Sequence, residues 1–432
     1  MTISKANAMK TFKDSSIKYL GKIPKHWKVK RLVNFGIFLK GGNISRQDLI
    51  ENGESAILYG DIYMKYEISA RFLDSKISKN TSLNAIPIYK GDILFAGSGE
   101  TKEDIGKNIV YLGDEIAFAG GDVIIFRQKE NNALFLSYAL NTKYAKFYKS
   151  IESKGEIIVH IYASNLRGLK IPLPPLKEQK EIAEFLDKKC EKISNFIDKK
   201  QKLITLLEEK KQALINEVVT KGLDSKTELK DSGIKYLGKI PKHWEVRKIK
   251  HICNINPQTN TKLPNRFVYI DLESVKSGYL FKKQIINRDN APSRAQRILQ
   301  KQDILFQLVR PYQKNNYLFD KSGDYVASTG YAQLRTSKNV KFIYYALLED
   351  SLVQRVVLKS TGSNYPAITS SDFGDLKIPL PPLKEQEQIA EFLDSKIAKI
   401  DTIIEKTKKQ IELIKEYKTT LISQAVCGRI MV

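Results

Sequence analysis

Apolar residues fall on a heptad in two stretches of the chain. In the first, Leu186, Ile193, Leu207 and Leu214 form one row, and Cys190, Ile197, Ile204 and Val218 form the other. In the second, Leu393, Ile400, Ile414 and Leu421 run beside Ile397, Ile404, Ile411 and Ala425. Rows that repeat every seven residues, offset by three and four, mark a coiled-coil seam. Lys200 and Lys211 interrupt the first seam, and Thr407 and Lys418 interrupt the second. Pro174-Pro175 and Pro381-Pro382 stop whatever precedes each stretch, and a helix can start just beyond them. From Lys177 to Val219 there is no Gly or Pro, and Gly222 offers a helix stop. The pattern predicts two long helices paired along this seam. The alternative is two amphipathic helices, each docked on a globular domain.

The remaining segments are mixed. Ile109–Leu112, Val123–Arg127, Phe267–Leu272 and Ile304–Val309 are β-branched or aromatic runs bounded by Gly, Asp or Asn, and they predict strands. Phe135–Ser150 and Val340–Leu358 predict helices. The division is globular over 1–175, helical over 176–222, globular over 223–382 and helical over 383–432.

The chain is also written twice. Asp14–Leu32 (DSSIKYLGKIPKHWKVKRL) and Asp231–Ile249 (DSGIKYLGKIPKHWEVRKI) agree at 14 of 19 positions, and each holds one of the two tryptophans, Trp27 and Trp244. Leu169–Asp187 (LKIPLPPLKEQKEIAEFLD) and Leu376–Asp394 (LKIPLPPLKEQEQIAEFLD) differ at only two positions. Between these frames, residues 33–168 and 250–375 share little beyond GDILF at Gly91–Phe95 beside QDILF at Gln302–Phe306, and Ser153 and Gly155 beside Ser360 and Gly362. A kept frame around a varied middle is one scaffold presenting two different surfaces. The other reading is drift in an unconstrained segment.

Chain order then sets an architecture. About 43 helical residues span roughly 64 Å at 1.5 Å per residue. Only a short stretch separates Gly222 from Asp231, so the second globular domain is expected near the far end of the first helix. The second helix must return antiparallel, which predicts a pseudo-twofold dumbbell.

Charge points to a partner. The 432 residues carry 72 Lys+Arg and 48 Asp+Glu, a formal net charge of +24. The helical segments 177–222 and 384–432 contribute only +2 and +1, leaving +21 in the globular parts. A polyanion-binding surface needs such an excess. A rod of this length would hold two readers one to two DNA turns apart. Two different surfaces would read two different half-sites.

Other classes are disfavoured. The longest weakly charged apolar run, Glu115–Phe126, is about half a membrane span. The first sixteen residues hold no apolar signal core. Cys190, Cys253 and Cys427 form no CxxC pair and fit a reducing cytoplasm, and four His make a His-rich metal site improbable.

The Ile23-Pro24-Lys25-His26-Trp27 string, the GDILF strand, the IPLPPLKEQ block and the long helix after it, all duplicated, resemble the specificity subunit of type I restriction–modification systems. The resemblance covers essentially the whole chain, and the duplicated IPLPPLKEQxxIAEFLD block is its most specific part. It implies an α+β fold, with two mixed α/β target-recognition domains joined by two long antiparallel coiled-coil helices. It also implies a sequence-specific DNA-binding protein that reads an asymmetric bipartite site, one half per domain. The implied partners are double-stranded DNA, adenine-N6 methyltransferase subunits and ATP-dependent translocase/endonuclease subunits. S-adenosylmethionine, Mg²⁺ and ATP would belong to those partners, with no cofactor and no metal in this chain.

Catalytic motifs are weak. Phe95-Ala96-Gly97-Ser98-Gly99 is similar to the FxGxG loop of methyltransferases, but no [DN]PP[YF] tetrapeptide accompanies it. There is no GxxxxGK[ST] for ATP. Asp92, Glu100 and Lys102 have D…ExK spacing, so the rival reading is a self-contained Mg²⁺-dependent nuclease. A third reading is a coiled-coil scaffold for other proteins. His26 and His243, beside the tryptophans, are expected to pack structurally.

Candidate DNA contacts are Arg, Lys, Gln, Asn and Tyr of the variable loops, because Arg or Lys pairs with guanine and Asn or Gln with adenine. In the first domain these are Arg46, Tyr63, Lys65, Tyr66, Ser98, Lys102 and Lys154. In the second they are Arg294, Arg297, Gln307, Arg310, Tyr312, Gln313, Lys314, Asn316 and Tyr365. Most such contacts are expected at phosphates.

Overall fold

A computed structural model describes residues 11–17, 19–258 and 262–430. The first ten residues, part of the segment read above as lacking a signal core, lie outside them. The chain forms two compact units, Met1–Lys200 with Lys409–Val432, and Gln201–Lys408.

In the first unit, a five-stranded sheet runs in the order Ile37–Lys40, Val123–Arg127, Ile93–Ala96, Asn108–Tyr111, Ser69–Ala70. A second five-stranded sheet holds Leu49–Ile50, Ser75–Ile77, Glu54–Ile57, Ala117–Ala119 and Ile86–Ile88. The second unit repeats the plan with four strands in each sheet. Ile304–Gln307 lies between Tyr331–Thr336 and Tyr317–Leu318, with Cys253–Ile255 outermost. Gln284–Asn287, Arg266–Ile270, Tyr325–Ser328 and Ala295–Ile298 form the other sheet. The duplicated DILF strand is thus buried on both faces in each unit, which accounts for its unbroken apolar run.

The frames close each unit. Lys28–Arg31 pairs antiparallel with Lys170–Leu173, and Glu245–Lys248 pairs with Lys377–Leu380. The two duplicated blocks are therefore one structural device per unit, although about 140 residues separate them in sequence. Trp27 and Trp244 are fully buried beneath this ladder. Trp27 Nε1 donates to Glu178 Oε2 at 3.0 Å, and His26 Nε2 lies 2.7 Å from Glu178 Oε1. Trp244 Nε1 and His243 Nε2 hold Glu385 in the same way, at 3.1 and 2.9 Å. Both glutamates sit in the first helical turn, where the helix dipole favours a negative charge.

The long helices are Leu176–Lys221 and Leu383–Val426, and Gly222 ends the first in the left-handed region at φ +76°. In the first unit, Ile182, Leu186, Cys190 and Ile193 share a core with Leu421, Ala425 and Val426. In the second, Ile215, Val218 and Val219 share one with Ile389, Leu393 and Ile397. In each unit the start of one helix lies beside the end of the other, so the helices run antiparallel. Leu186, Ile193, Ile204, Leu393, Ile397, Ile400, Ile404, Ile411 and Leu421 are buried, and Ile197, Leu207, Leu214 and Ile414 are partly buried. Off the seam, Leu206, Ile403 and Leu413 are exposed. Of the interrupting lysines, Lys200 lies over the Phe196 ring, 5.3 Å from its centre, and the other two have polar partners. Lys211 Nζ reaches Asp401 at 2.8 Å, and Lys418 Nζ reaches Ser194 Oγ at 3.1 Å.

Two expected helices are each broken in two. Phe135–Ser150 becomes Ala133–Leu140 and Lys143–Glu152, and Val340–Leu358 becomes Val340–Ala346 and Asp350–Lys359. In the second case Glu349 caps the new start, accepting from the Ser351 and Leu352 N–H groups. Among the described residues, no helix is long and apolar enough to cross a membrane.

Lys149 on the second of these short helices is fully buried, donating to Gly106 O at 2.6 Å and Leu140 O at 2.9 Å. Burial pulls its pKa down to about 7 from 10.5. Between those two pH values the unfolded chain holds the proton and the folded chain has released it. Stability should therefore rise with pH across that window, by up to about 1.4 kcal/mol per unit. Denaturation midpoints at pH 7, 8 and 9 check this: the slope should diminish in Lys149→Met.

Candidate nucleic-acid interface

The two carboxylates of the DILF strands are structural. Asp92 is 2% exposed and grips Arg127 through both oxygens, with Arg127 Nη2 at 2.7 Å and Nε at 2.9 Å. It also accepts the Tyr89 N–H at 2.9 Å. Asp303, fully buried, does the same for Arg335 at 2.8 and 2.9 Å and takes a further bond from Gln333 Nε2 at 2.7 Å. This corrects the D…ExK reading, because the carboxylate it needs is committed to an arginine fork while Glu100 and Lys102 stand on an exposed turn. Among the described residues, no group of three or more His, Cys, Asp or Glu is placed to hold a metal ion. Asp303→Ala would strand Arg335 and Gln333, and a loss of about 3 kcal/mol is expected in urea denaturation.

The loop after the DILF strand carries most of the candidates in the second unit, but only Ser98 and Lys102 in the first. In the first unit, Ser98 is buried and bonded to Asp122 Oδ2 at 3.1 Å and His160 Nδ1 at 2.9 Å. Ser98–Gly99 pairs with Val159–His160. A Cβ on Gly99 would stand 2.7 Å from the Tyr63 hydroxyl, so the glycine is what admits Tyr63. Burial pushes the Tyr63 phenol up to about 12. Lys65 is tied to Asp61 at 3.0 Å and to Ser75. Tyr66 accepts the Asp74 N–H at 3.0 Å. Arg46, Lys102 and Lys154 are exposed.

In the second unit, Gln307 and Asn316 are buried and hold the loop together. Asn316 Oδ1 accepts the Gln307 N–H at 2.9 Å, and Gln307 Oε1 accepts the Asn315 N–H at 3.1 Å. Gln307 Nε2 donates to Gln313 Oε1 at 3.0 Å. Arg310 stacks over the Tyr365 ring, 4.1 Å from its centre. Lys314 is bound to the Asp350 carboxylate and to Leu348 O. Arg297 is half-buried, and desolvation pulls its pKa down. Arg294, Tyr312, Gln313 and Tyr365 are exposed. Gln307, Arg310, Gln313 and Tyr365 are brought to one cleft.

The sequence reading did not single out the exposed apolar groups near these loops. Ile157 and Ile158, 91% and 58% exposed, tip the loop that follows Gly155. Phe281, 65% exposed, lines the cleft of the second unit. Their only sequence signal is position beside Gly155 and Gly278, since an apolar residue in isolation predicts a core.

The profile described as Type I restriction modification DNA specificity domain matches residues 24–214 and again 241–413. The MjaVIII type I restriction enzyme specificity subunit of Methanocaldococcus jannaschii is 27% identical over 441 residues, covering 98% of each chain. A second protein of that organism, the putative MjaX specificity subunit, is 26% identical and covers 96% of each. Among solved structures, a chain from work on complex assembly and conformational transition of the type I R-M system aligns with a TM-score of 0.71 at 16% identity, over 94% of this chain and 99% of that one. The HsdS subunit from Thermoanaerobacter tengcongensis aligns at 0.53 and 17% identity, over 94% and 98%. These structural likenesses concern the fold.

Proposed function

Because the chain belongs to the family of type I restriction–modification DNA specificity domains, we propose that it is the DNA-reading subunit of such a complex. Each unit reads one half of an asymmetric bipartite site. Adenine-N6 methyltransferase subunits and an ATP-dependent translocase/endonuclease supply the chemistry, with S-adenosylmethionine, Mg²⁺ and ATP bound by those partners in the cytoplasm. The chain itself catalyses nothing.

One observation carries this reading: two matching frames close around two cores whose loops differ. Frame ladders such as Lys28–Arg31 with Lys170–Leu173 are shared, while the loop after the DILF strand is Gly97–Glu100 in one unit and Leu308–Tyr312 in the other. The +21 charge outside the helical segments supplies the attraction to phosphate.

Binding of the purified chain to duplex DNA across a salt series tests it. Affinity should fall steeply, with a log–log slope of about −0.9 for each phosphate contact. A scaffold protein would show no DNA affinity at low salt. Mg²⁺-dependent cleavage that vanished in Glu100→Ala would establish the nuclease instead. Coexpression with its methyltransferase subunits should leave methylated adenines in a split sequence.

A further inference from the structure

We propose that Arg310 reads a guanine in the half-site taken by the second unit, and that Gln313 reads the adjoining base edge. This rests on the DNA-reading function above and assigns one position of its specificity.

The backbone around Arg310 is unusual. Arg310 and Lys314 bracket the turn Pro311–Gln313, and both lie in the left-handed region, at φ +53° and +51°. Non-glycine residues adopt that conformation rarely, and where they do the surroundings must enforce it. Here they do. The Arg310 N–H is held by Pro366 O at 2.7 Å, Pro311 is buried, and Lys314 anchors the far side to Asp350 and Leu348. The turn is a fixed platform.

The side chains on it are poised for an acceptor. The Arg310 guanidinium lies over Tyr365, 4.1 Å from the ring centre, and its Nε is buried without a hydrogen-bond partner among the described residues. Buried donors of that kind normally find a partner in the protein or in ordered water, so an unpaired one asks for an explanation. Gln307, itself buried, fixes the Gln313 amide by donating to its Oε1, while the protein bonds found for that amide leave Nε2 available. Both groups open on a cleft of about 550 Å³ that Phe281 and Tyr365 also line. A guanidinium held over an aromatic ring can present two parallel N–H groups, which match the O6 and N7 of guanine. An amide with a free NH₂ and a remaining lone pair matches adenine. A phosphate contact would need neither the ring beneath the guanidinium nor the flanking Phe281.

The first unit lacks this reader. At the offset of 211 that aligns GDILF with QDILF, Arg310 falls on Gly99, beside which Tyr63 sits instead. The guanine should therefore belong to one half-site only.

The test is selection by the full-length chain from duplexes randomised in both half-sites, comparing wild type, Arg310→Ala, Arg310→Lys and Gln313→Ala. Arg310→Ala should weaken the preference for G·C at one position by about tenfold to a hundredfold, with the other half-site unaltered. Arg310→Lys keeps the charge without the fork, so it should not restore the preference. Gln313→Ala should act on the neighbouring base pair. The proposal is overturned if Arg310→Ala lowers affinity equally for all sequences, with a salt slope shallower by about one and Arg310→Lys restoring it, since that is a phosphate contact. It is also overturned if Arg310→Lys, melting as wild type does, keeps the full base preference, or if the relaxed position is not a guanine. A wild-type chain that selected no sequence would overturn the DNA-reading function itself. Intact wild-type selection with unchanged Arg310 variants would remove only this assignment.

Discussion

Replacing residues 250–375 with the matching segment of a related specificity subunit should change one half of the recognised DNA sequence and leave the other half as it was. The cut points lie just inside the ladder in which Glu245–Lys248 pairs with Lys377–Leu380. The exchange therefore retains Trp244, Glu385 and both long helices, which hold the unit closed. It replaces both four-stranded sheets and every loop that carries Arg294, Arg310, Gln313 or Tyr365. Each base pair mismatched in a site costs about 1–3 kcal/mol, so a half-site of several base pairs loses most of its discrimination. Methylation patterns of the reconstituted complex, or selection from randomised duplexes, report both halves at once. A change in both halves would show that the units do not read independently.

The frames and seams were legible in the sequence because their signals are local or repeated. Leu186, Leu393 and Leu421 stand on heptads that need only a 3.5-residue count, and each is buried. What the frames do was less visible. Nothing in the string IPLPPLKEQ says that Lys170–Leu173 pairs with Lys28–Arg31, since strand pairing at long separation leaves no short-range mark. The break at Leu348–Glu349 was missed because an apolar helical period continues across it, and only the capping capacity of Glu349 gives it away. Asp92 drew attention as a metal ligand through spacing alone. A better signal was present: Asp92 and Asp303 recur in both halves, and so do Arg127 and Arg335 on the neighbouring strands. A retained acid–base pair on adjacent strands is what a buried ion pair requires. In the variable loops the candidates separated by burial. Gln307 and Asn316 are buried supports of the loop, Gln307 also lining the cleft, while Arg310 and Gln313 are less buried there, a distinction that depends on tertiary packing.

Leu393→Asp should unfold the second unit, whereas Ile403→Asp, ten residues further along the same helix, should leave it nearly untouched. Leu393 is fully buried in a core that includes Val218 and Val219 of the other long helix, Trp244 of the frame and Leu352 of the globular part. Truncating a leucine in such a place costs about 2–5 kcal/mol. An aspartate there must also lose its hydration or take up a proton. The sum exceeds about 5 kcal/mol, comparable with the whole stability of an ordinary domain. Ile403 is 46% exposed and off the seam, so a charge there stays in water and should shift stability by no more than about 0.5 kcal/mol. Denaturation followed by circular dichroism separates the two variants. Selection from randomised duplexes adds a functional reading: Leu393→Asp should lose the second half-site preference, and Ile403→Asp should keep both. Equal loss in the two variants would mean that helix charge, not the buried seam, governs the fold, and near-wild-type melting of Leu393→Asp would remove the seam from the account of stability.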